Sequence, residues 1–431
     1  MGIPMLESGI QALILCGPAS LPRPKVLAPQ DLEATTATAQ LLRLPEVQSC
    51  IKTDFFLLPC DLVCELDGKY LLQTWLASQI QKPHGTERDR QGGLCVYYQP
   101  EDVVKDEILD LIAVTPLRQT EVSAKSNHGL SRLLMSIGVD MVKRKLDKNK
   151  DFLLRHSFAK RQAKAKILTG YRDAHLYAFP YWVKDLVCHR RLVSVSEDII
   201  GLWAKSTWQR GLGEKLGLDI YSDQQNEKRT NDYRDMSTTV HRSPYTDALG
   251  IPPLLAYLQT GSTPLVRRVD SPALLLSTSL RLAKLESIEA VGDAANPPPL
   301  AHNSKITSPE GINPRCFISA ADCLLGADVI VEEKCAIKES CIGPNSKICS
   351  GARLTRCVVM DNAVIGERCV LTGCIVGSRS TIGRNSVLRD CEVQEGNVVP
   401  EKTEAKDEKF MPLFQDLEQD DVECLEDNST D

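Results

Sequence analysis

Residues 323–348 read CLLGADVIVEEKCAIKESCIGPNSKI, and their spacing decides the fold. Leu325, Val331 and Ile337 stand six apart, and Ile342 follows five residues later. Steps of seventeen from these residues give three columns. The first holds Leu325, Ile342, Val359, Val376 and Val393, the second Val331, Ile348, Ile365, Ile382 and Val399. The third is Ile337, Leu354, Leu371 and Leu388, and every one of these positions is aliphatic. A six-six-five period is the hexapeptide signature of a parallel β-helix, in which each period makes one triangular coil. The recurring aliphatic side chains then point inward. Glycine follows several of them, as at Ile342-Gly343, Ile365-Gly366 and Ile382-Gly383, which reads as a need for permissive turn residues. At about 4.8 Å per coil, five coils make a prism roughly 24 Å long.

The cysteines keep the same period. Cys323, Cys357, Cys374 and Cys391 share a column with Ser340, while Cys335 and Cys369 share another with Ala352 and Ser386. Both columns hold small residues throughout, so packing explains them. No CxxC pair occurs in the chain, which removes the usual zinc-knuckle spacing. The sixteen cysteines are expected to be reduced and largely buried. Hexapeptide β-helices often belong to acyltransferases, which use a coil histidine as general base. From Asn303 to Asp431 there is no histidine. The prism therefore reads as an interaction surface.

A chain of 431 residues has room for two or three domains. The formal charge of −6 is uneven, because residues 404–431 hold eleven Asp or Glu against Lys406 and Lys409. The rest is close to neutral. That balance argues against a nucleic-acid surface spread over the fold, and it predicts a disordered acidic tail. The basic stretch HSFAKRQAKAK (156–166) reads either as a face for an acidic partner or as a solvated edge. No run approaches the roughly 18 apolar residues of a membrane span. The opening MGIPMLESGIQALILCGPAS has no basic residue before Arg23, unlike a signal peptide, and Leu6 stands where myristoylation wants Ser or Thr. A cytosolic protein is expected.

From residue 10 to about 286 the pattern alternates strands and helices. QALILC (11–16) and DFFLLPCD (54–61) read as buried parallel strands, and GKYLLQTWLASQI (68–80) as the helix after the second. GLCVYYQ and EILDLIAVTP read as further strands. KAKILTGYRDAHLYAFP (164–180) reads as strand with a turn at Arg172-Asp173. Ser196 is the expected N-cap of the helix in SEDIIGLWAKSTW. Residues 222–245 look like a loose insertion, and LVRRVD returns as a strand. Ser271-Pro272 then opens a helix, with proline in its first turn. Four segments follow: an α/β domain to 291, a linker at 292–304, a β-helix at 305–403 and an acidic tail at 404–431.

An α/β nucleotidyltransferase-like (Rossmann-like) domain followed by a β-helix is the layout of sugar-nucleotide pyrophosphorylases. LPCDLVCEL, RDAHLYAFPYWV, VSEDIIGLWAKSTW and the coil run above resemble, in fungal-like spelling, the gamma-subunit family of eukaryotic translation initiation factor 2B. The resemblance spans residues 10 to about 403 and implies a left-handed β-helix. It implies a role in protein synthesis, as a non-catalytic subunit of the complex that exchanges GDP for GTP on translation initiation factor 2. The implied partners are the epsilon subunit, the other subunits of the complex and the factor itself. No cofactor, membrane or direct nucleic acid is implied. The alternative is a sugar-nucleotide pyrophosphorylase, similar to mannose-1-phosphate guanylyltransferase.

An aspartate at the carboxyl end of a sheet strand, such as Asp61, is placed where a divalent metal could meet phosphates. Active relatives also need a GGxGxRLxPLT loop whose backbone N–H groups reach phosphate. Nothing in this chain resembles it, and the opening βα unit is expected to be missing through a truncated gene model or isoform. Gly211-Leu212-Gly213 is read instead as a helix C-terminal turn. Ala37-Thr38-Ala39 replaces Gly-Thr-Ala, Cys60 replaces the glycine before Asp61, and His175 replaces the glycine that lets a sugar approach. No Glu-Lys-Pro motif is visible. Asp61 and Asp173 are therefore expected to be vestigial positions, with no catalytic, cofactor or metal residue among them. Arg172 and His175, in a turn between strands, are read as hydrogen-bonding backbone groups, and Lys184 likewise has a structural alternative to any mechanistic role.

The column reading has a direct test. Ile348→Asp should bury a charge without a partner and lower folding stability by about several kcal/mol, read from a urea unfolding curve.

Overall fold

The computed structural model describes residues 36–80, 92–100, 109–117, 129–150, 154–189, 192–209, 211–218, 251–261, 263–291 and 300–411, with residues 27 and 107. Two compact units divide between Val269 and Asp270.

In the C-terminal unit, parallel strands stack as a β-helix of about six turns over residues 317–410. Every predicted inward aliphatic is buried to 3% exposure or less. Register explains why. Ile348 pairs with Ile365 and Leu354 with Leu371, so each residue sits on its counterpart one period later. The N–H groups of one coil donate to carbonyls of the next, as from Gly343 to Val359 at 2.8 Å and Cys349 to Ile365 at 2.9 Å. Cys323, Ser340, Cys357, Cys374 and Cys391 form a buried column two residues ahead of the aliphatic one. Their polar atoms find backbone partners: the Ser340 hydroxyl donates to the Lys338 carbonyl at 2.7 Å. All fourteen described cysteines are free thiols. Burial pushes the thiols of Cys323 and Cys369 up, and that of Cys335 to about 11.

The corners differ from expectation. Left-handed backbone falls on Asp328, Asn345, Asn362 and Arg379, with Gly396 completing that column. The glycines after the inward residues serve clearance instead. A Cβ on Gly366 would lie 2.6 Å from the Ile382 carbonyl oxygen and 2.9 Å from the Arg384 nitrogen.

The first coil departs from the period, and the C-terminal end of the β-helix needs correction. Bridges from Ile306 to Leu325 and from Ile312 to Val331 make the first coil two residues longer than the rest. Its extra residues sit at the 319–322 corner, outside the strands. At the other end, Glu404–Lys406 and Lys409–Phe410 continue the stack beyond 403. Ala405 and Phe410 supply the inward side chains there, while the charged residues between them face outward. Residues 412–431 of the expected tail lie outside the described residues.

The helix Pro272–Lys284 belongs to this unit, not to the α/β unit. Ser271 caps it through the Leu274 N–H, as the sequence suggests. One outer column of the prism is apolar: Leu324, Cys341, Val358 and Ile375. The helix packs on that face, where the Cys341 thiol donates to the Ser279 carbonyl. The column turns charged at Glu392 and Lys409, which pair at 3.1 Å.

The other unit is built on a mixed sheet. Its strands are β1 (Phe55–Leu57), β2 (Leu62–Cys64), β3 (Gly93–Tyr98), β4 (Asp110–Pro116), β5 (Leu130–Gly138), β6 (Lys166–Phe179), β7 (Leu254–Gln259) and β8 (Val266–Arg268). The main sheet runs β1-β6-β3-β7-β5-β4, and β2 pairs with β8 separately. Only β3 and β7 are parallel; every other described pair in this unit is antiparallel. All of β3 is buried because both faces are covered. Leu94, Val96 and Tyr98 meet Leu71 and Trp75 of the helix Gly68–Ile80. Cys95 and Tyr97 meet Val183, Val187, Ile199 and Trp203 from helices on the opposite face.

DFFLLPCD is thus corrected: β1 is a short, half-buried strand antiparallel to β6. Pro59, lacking an N–H, follows its end. QALILC and residues 222–245 lie outside the described residues. No turn interrupts β6 at Arg172-Asp173; the strand bulges around His175, whose φ is +52°. The N-cap is Ser194, not Ser196, since its side chain accepts the Glu197 N–H and Asp198 accepts those of Val193 and Ser194. The cap two positions earlier wins because it places Val195, Ile199 and Ile200 in the core. Gly211, at φ +73°, precedes the short helix Leu212–Leu216 rather than ending one.

Clearance and left-handed backbone can be told apart by experiment. Gly396→Ala, at φ +69° with open space around it, should cost about 1 kcal/mol. Gly366→Ala meets backbone and should lower the urea midpoint clearly more; equal losses would mean that corner conformation alone selects glycine.

Candidate functional site

Among the described residues of the α/β unit, a group of buried and half-buried polar side chains forms around the β2–β8 pair and the bulge of β6. Leu62 pairs with Arg268, which brings the preceding Asp61 beside the arginine. Asp61 Oδ2 accepts from Arg268 Nη2 at 2.9 Å and Nε at 3.1 Å. The Asp61 carbonyl accepts the Val269 N–H at 2.7 Å. Arg268 Nη1 lies 3.2 Å from His175 Nε2. A guanidinium only donates, so that nitrogen is the acceptor and the imidazole is neutral.

From His175 the network runs inward. The His175 backbone N–H donates to Asp173 Oδ1 at 2.9 Å, and the Tyr177 hydroxyl donates to Asp173 Oδ2 at 2.6 Å. The Asp173 N–H donates to Asp110 Oδ2 at 2.7 Å. Beside this chain, buried Glu107 bridges Arg172 at 3.3 Å and Arg267 at 3.2 Å. Burial raises Asp173 to about 6. Burial, and then the nearby Asp173 charge, raise Asp110 to about 6. Burial and the Arg268 charge lower His175 to about 4.

Asp61, Asp173, His175 and, through Glu107, Arg172 therefore meet in one region. Lys184 does not join them; its ammonium donates to the Ile51 carbonyl at 3.0 Å and lies over the Tyr181 ring. Thr38 accepts the Val195 N–H at 3.0 Å, a structural bond. A metal reading of Asp61 meets an obstacle, because a cation would have to displace the guanidinium from Oδ2. Among the described residues no group of three or more His, Cys, Asp or Glu is arranged to hold a metal ion. The sequence reading missed Glu107, Asp110, Arg267 and Arg268. The signal was present in LVRRVD, since two adjacent arginines inside a short apolar strand need anionic partners wherever they are buried.

The chain is similar to known proteins in three comparisons. A protein-family profile described as the GMPPB C-terminal domain matches residues 319–413. The gamma subunit of translation initiation factor eIF2B from Schizosaccharomyces pombe is 28% identical over 209 residues, which are 47% of this chain. The match spans 40% of that relative's length. Among solved structures, two mutant forms of the perosamine N-acetyltransferase of Caulobacter crescentus, each with CoA and GDP-perosamine, are 27% identical. They cover 22% of this chain and 51% of their own, with a TM-score of 0.18. The first two findings support a relationship to nucleotidyltransferase-like proteins. Among the described residues no helix is long and apolar enough to cross a membrane.

The network predicts a pH dependence with opposing parts. Asp110 and Asp173 titrate higher folded than unfolded, so their contribution is complete below about pH 4 and is lost as pH rises through about 6. His175 titrates lower when folded, so its contribution is complete above about 6.5 and is lost as pH falls through about 4. His175→Asn, which tolerates the left-handed backbone, should steepen the fall of stability between about pH 4 and 6.5. Asp110→Asn should flatten that fall. Urea midpoints across the window, compared between variants, measure both.

Proposed function

We propose that this chain is a non-catalytic subunit of a translation initiation factor 2B-type complex. Its role is to support the epsilon-type subunit as that subunit exchanges GDP for GTP on translation initiation factor 2 in the cytosol. The similarity to the fission-yeast gamma subunit carries this reading. The local chemistry favours it, because Asp61 spends its carboxylate on Arg268 and the His175 Nε2 lone pair faces the same guanidinium. A subunit of this kind raises exchange by holding catalyst and substrate together, which replaces an encounter by a positioned contact. The β-helix offers a rigid surface for that task.

A second reading is a sugar-nucleotide pyrophosphorylase of the mannose-1-phosphate guanylyltransferase type. The profile match over residues 319–413 favours it. The two readings separate in one pair of assays. The chain should release no pyrophosphate from GTP and mannose 1-phosphate, and it should speed exchange by an epsilon-type subunit with which it co-elutes on gel filtration. Asp61→Asn should leave that stimulation nearly unchanged. Pyrophosphate release, or an unchanged exchange rate without complex formation, would overturn the subunit reading.

A further inference from the structure

Residues 139–167 hold ten Lys or Arg against three Asp. The helices Val139–Asn149 and His156–Arg161, with the start of β6, are anchored on a common apolar cluster. There Val142, Phe158 and Trp208 pack against Ala113, Leu134 and Ile137 of β4 and β5, with Ala165 at the margin. The charge outside that cluster is in water: Lys143, Lys148, Arg155, Lys160 and Lys164 are exposed. Three large aliphatic side chains are exposed among them, Leu146 at 39%, Leu154 at 45% and Ile167 at 45%.

The three aliphatic side chains add an apolar component to the positive charge. Single-stranded nucleic acid would be served by exposed aromatic faces for base stacking. The aromatics here are turned away, since Phe158 and Trp208 are buried edge to face, 5.1 Å between ring centroids. The Trp208 indole is spent on the Leu134 carbonyl, and Arg161 on the carbonyl of Trp208. Positive charge with interleaved aliphatic side chains complements a peptide in which carboxylates alternate with apolar residues.

We propose that this face docks an acidic peptide with interleaved apolar side chains, carried by another chain. The lysines supply screened attraction that speeds encounter. Leu146, Leu154 and Ile167 supply the apolar burial that holds the peptide. A ready probe of that chemistry is the sequence of residues 412–431, PLFQDLEQDDVECLEDNSTD, with eight Asp or Glu and no Lys or Arg. Its apolar residues Leu413, Phe414, Leu417, Val422 and Leu425 are spaced among the acids.

The test is fluorescence anisotropy of the labelled synthetic peptide, with Cys424→Ser, added to the full-length chain. Saturable binding is expected, weakening about tenfold from about 0.1 to 0.5 M salt. Lys160→Glu with Lys164→Glu should weaken it by a similar factor. Leu154→Ser with Ile167→Ser should weaken it at constant salt, with circular dichroism showing both variants folded. Binding indifferent to the aliphatic pair would overturn the proposal, as would tighter binding of an oligouridylate than of the peptide. If the full chain ignores the peptide but a chain ending at Met411 binds it, residues 412–431 themselves hold the face and docking of another chain is overturned.

Discussion

Parallel hydrogen bonding between coils is the constraint from which the C-terminal unit follows. Once the N–H of Gly343 points at the carbonyl of Val359, and its equivalents do the same along the stack, each side chain lies directly over its counterpart seventeen residues away. Large aliphatic side chains then fill one set of positions, and small ones the positions two residues earlier. No choice is left at either. Glycine is required where neighbouring backbones come too close for a Cβ, as at Gly366. The first coil shows where the rule relaxes. Its extra residues lie at a corner, because an insertion within a strand would turn inward side chains out.

The α/β unit solves a different problem. Four carboxylates and three arginines gather around β2, β8 and the bulge of β6, and most are at least partly removed from water. Charges in that position are tolerated only when paired and hydrogen-bonded. Glu107 answers two arginines, Arg268 answers Asp61 and faces His175, and Asp173 is wrapped by donors from its own strand. The bulge makes the last of these possible, since a left-handed residue at 175 folds its own N–H back onto the Asp173 carboxylate. Such a network fixes the meeting of β2, β8 and β6 through direction as well as energy.

The two units were unequally legible in the sequence. A fixed period makes the β-helix readable residue by residue, so the inward columns could be named without a structure. Its ends were harder, because Ala405 and Phe410 are inward residues flanked by charges and look like tail. In the α/β unit the helix at 68–80 and the strand at 93–98 were readable from composition. Strand direction was not, since β1 has the same hydrophobic content whether it pairs parallel or antiparallel. The polar network was least visible. Its members come from residues 61, 107, 110, 172–177 and 267–268, and only pairing across the sheet brings them together. Asp61 alone suggested a site; Arg268, about two hundred residues later, gives that carboxylate a partner within the fold.

The stack of coils also has a thermodynamic shape of its own. Each coil bonds only to the one above and the one below, so the unit behaves as a row of nearest-neighbour couplings and not as a single globular core. In such a row an interior coil is held from two sides and a terminal coil from one. The charged pair Glu392–Lys409 lies on the outer face of the last turns, where the apolar column that packs the helix Pro272–Lys284 has already ended. Stabilising contacts are therefore graded along the axis: the coils around Cys341 and Val358 are held by neighbouring coils and by the helix together, while the coil carrying Lys409 has no such helix contact among the described residues.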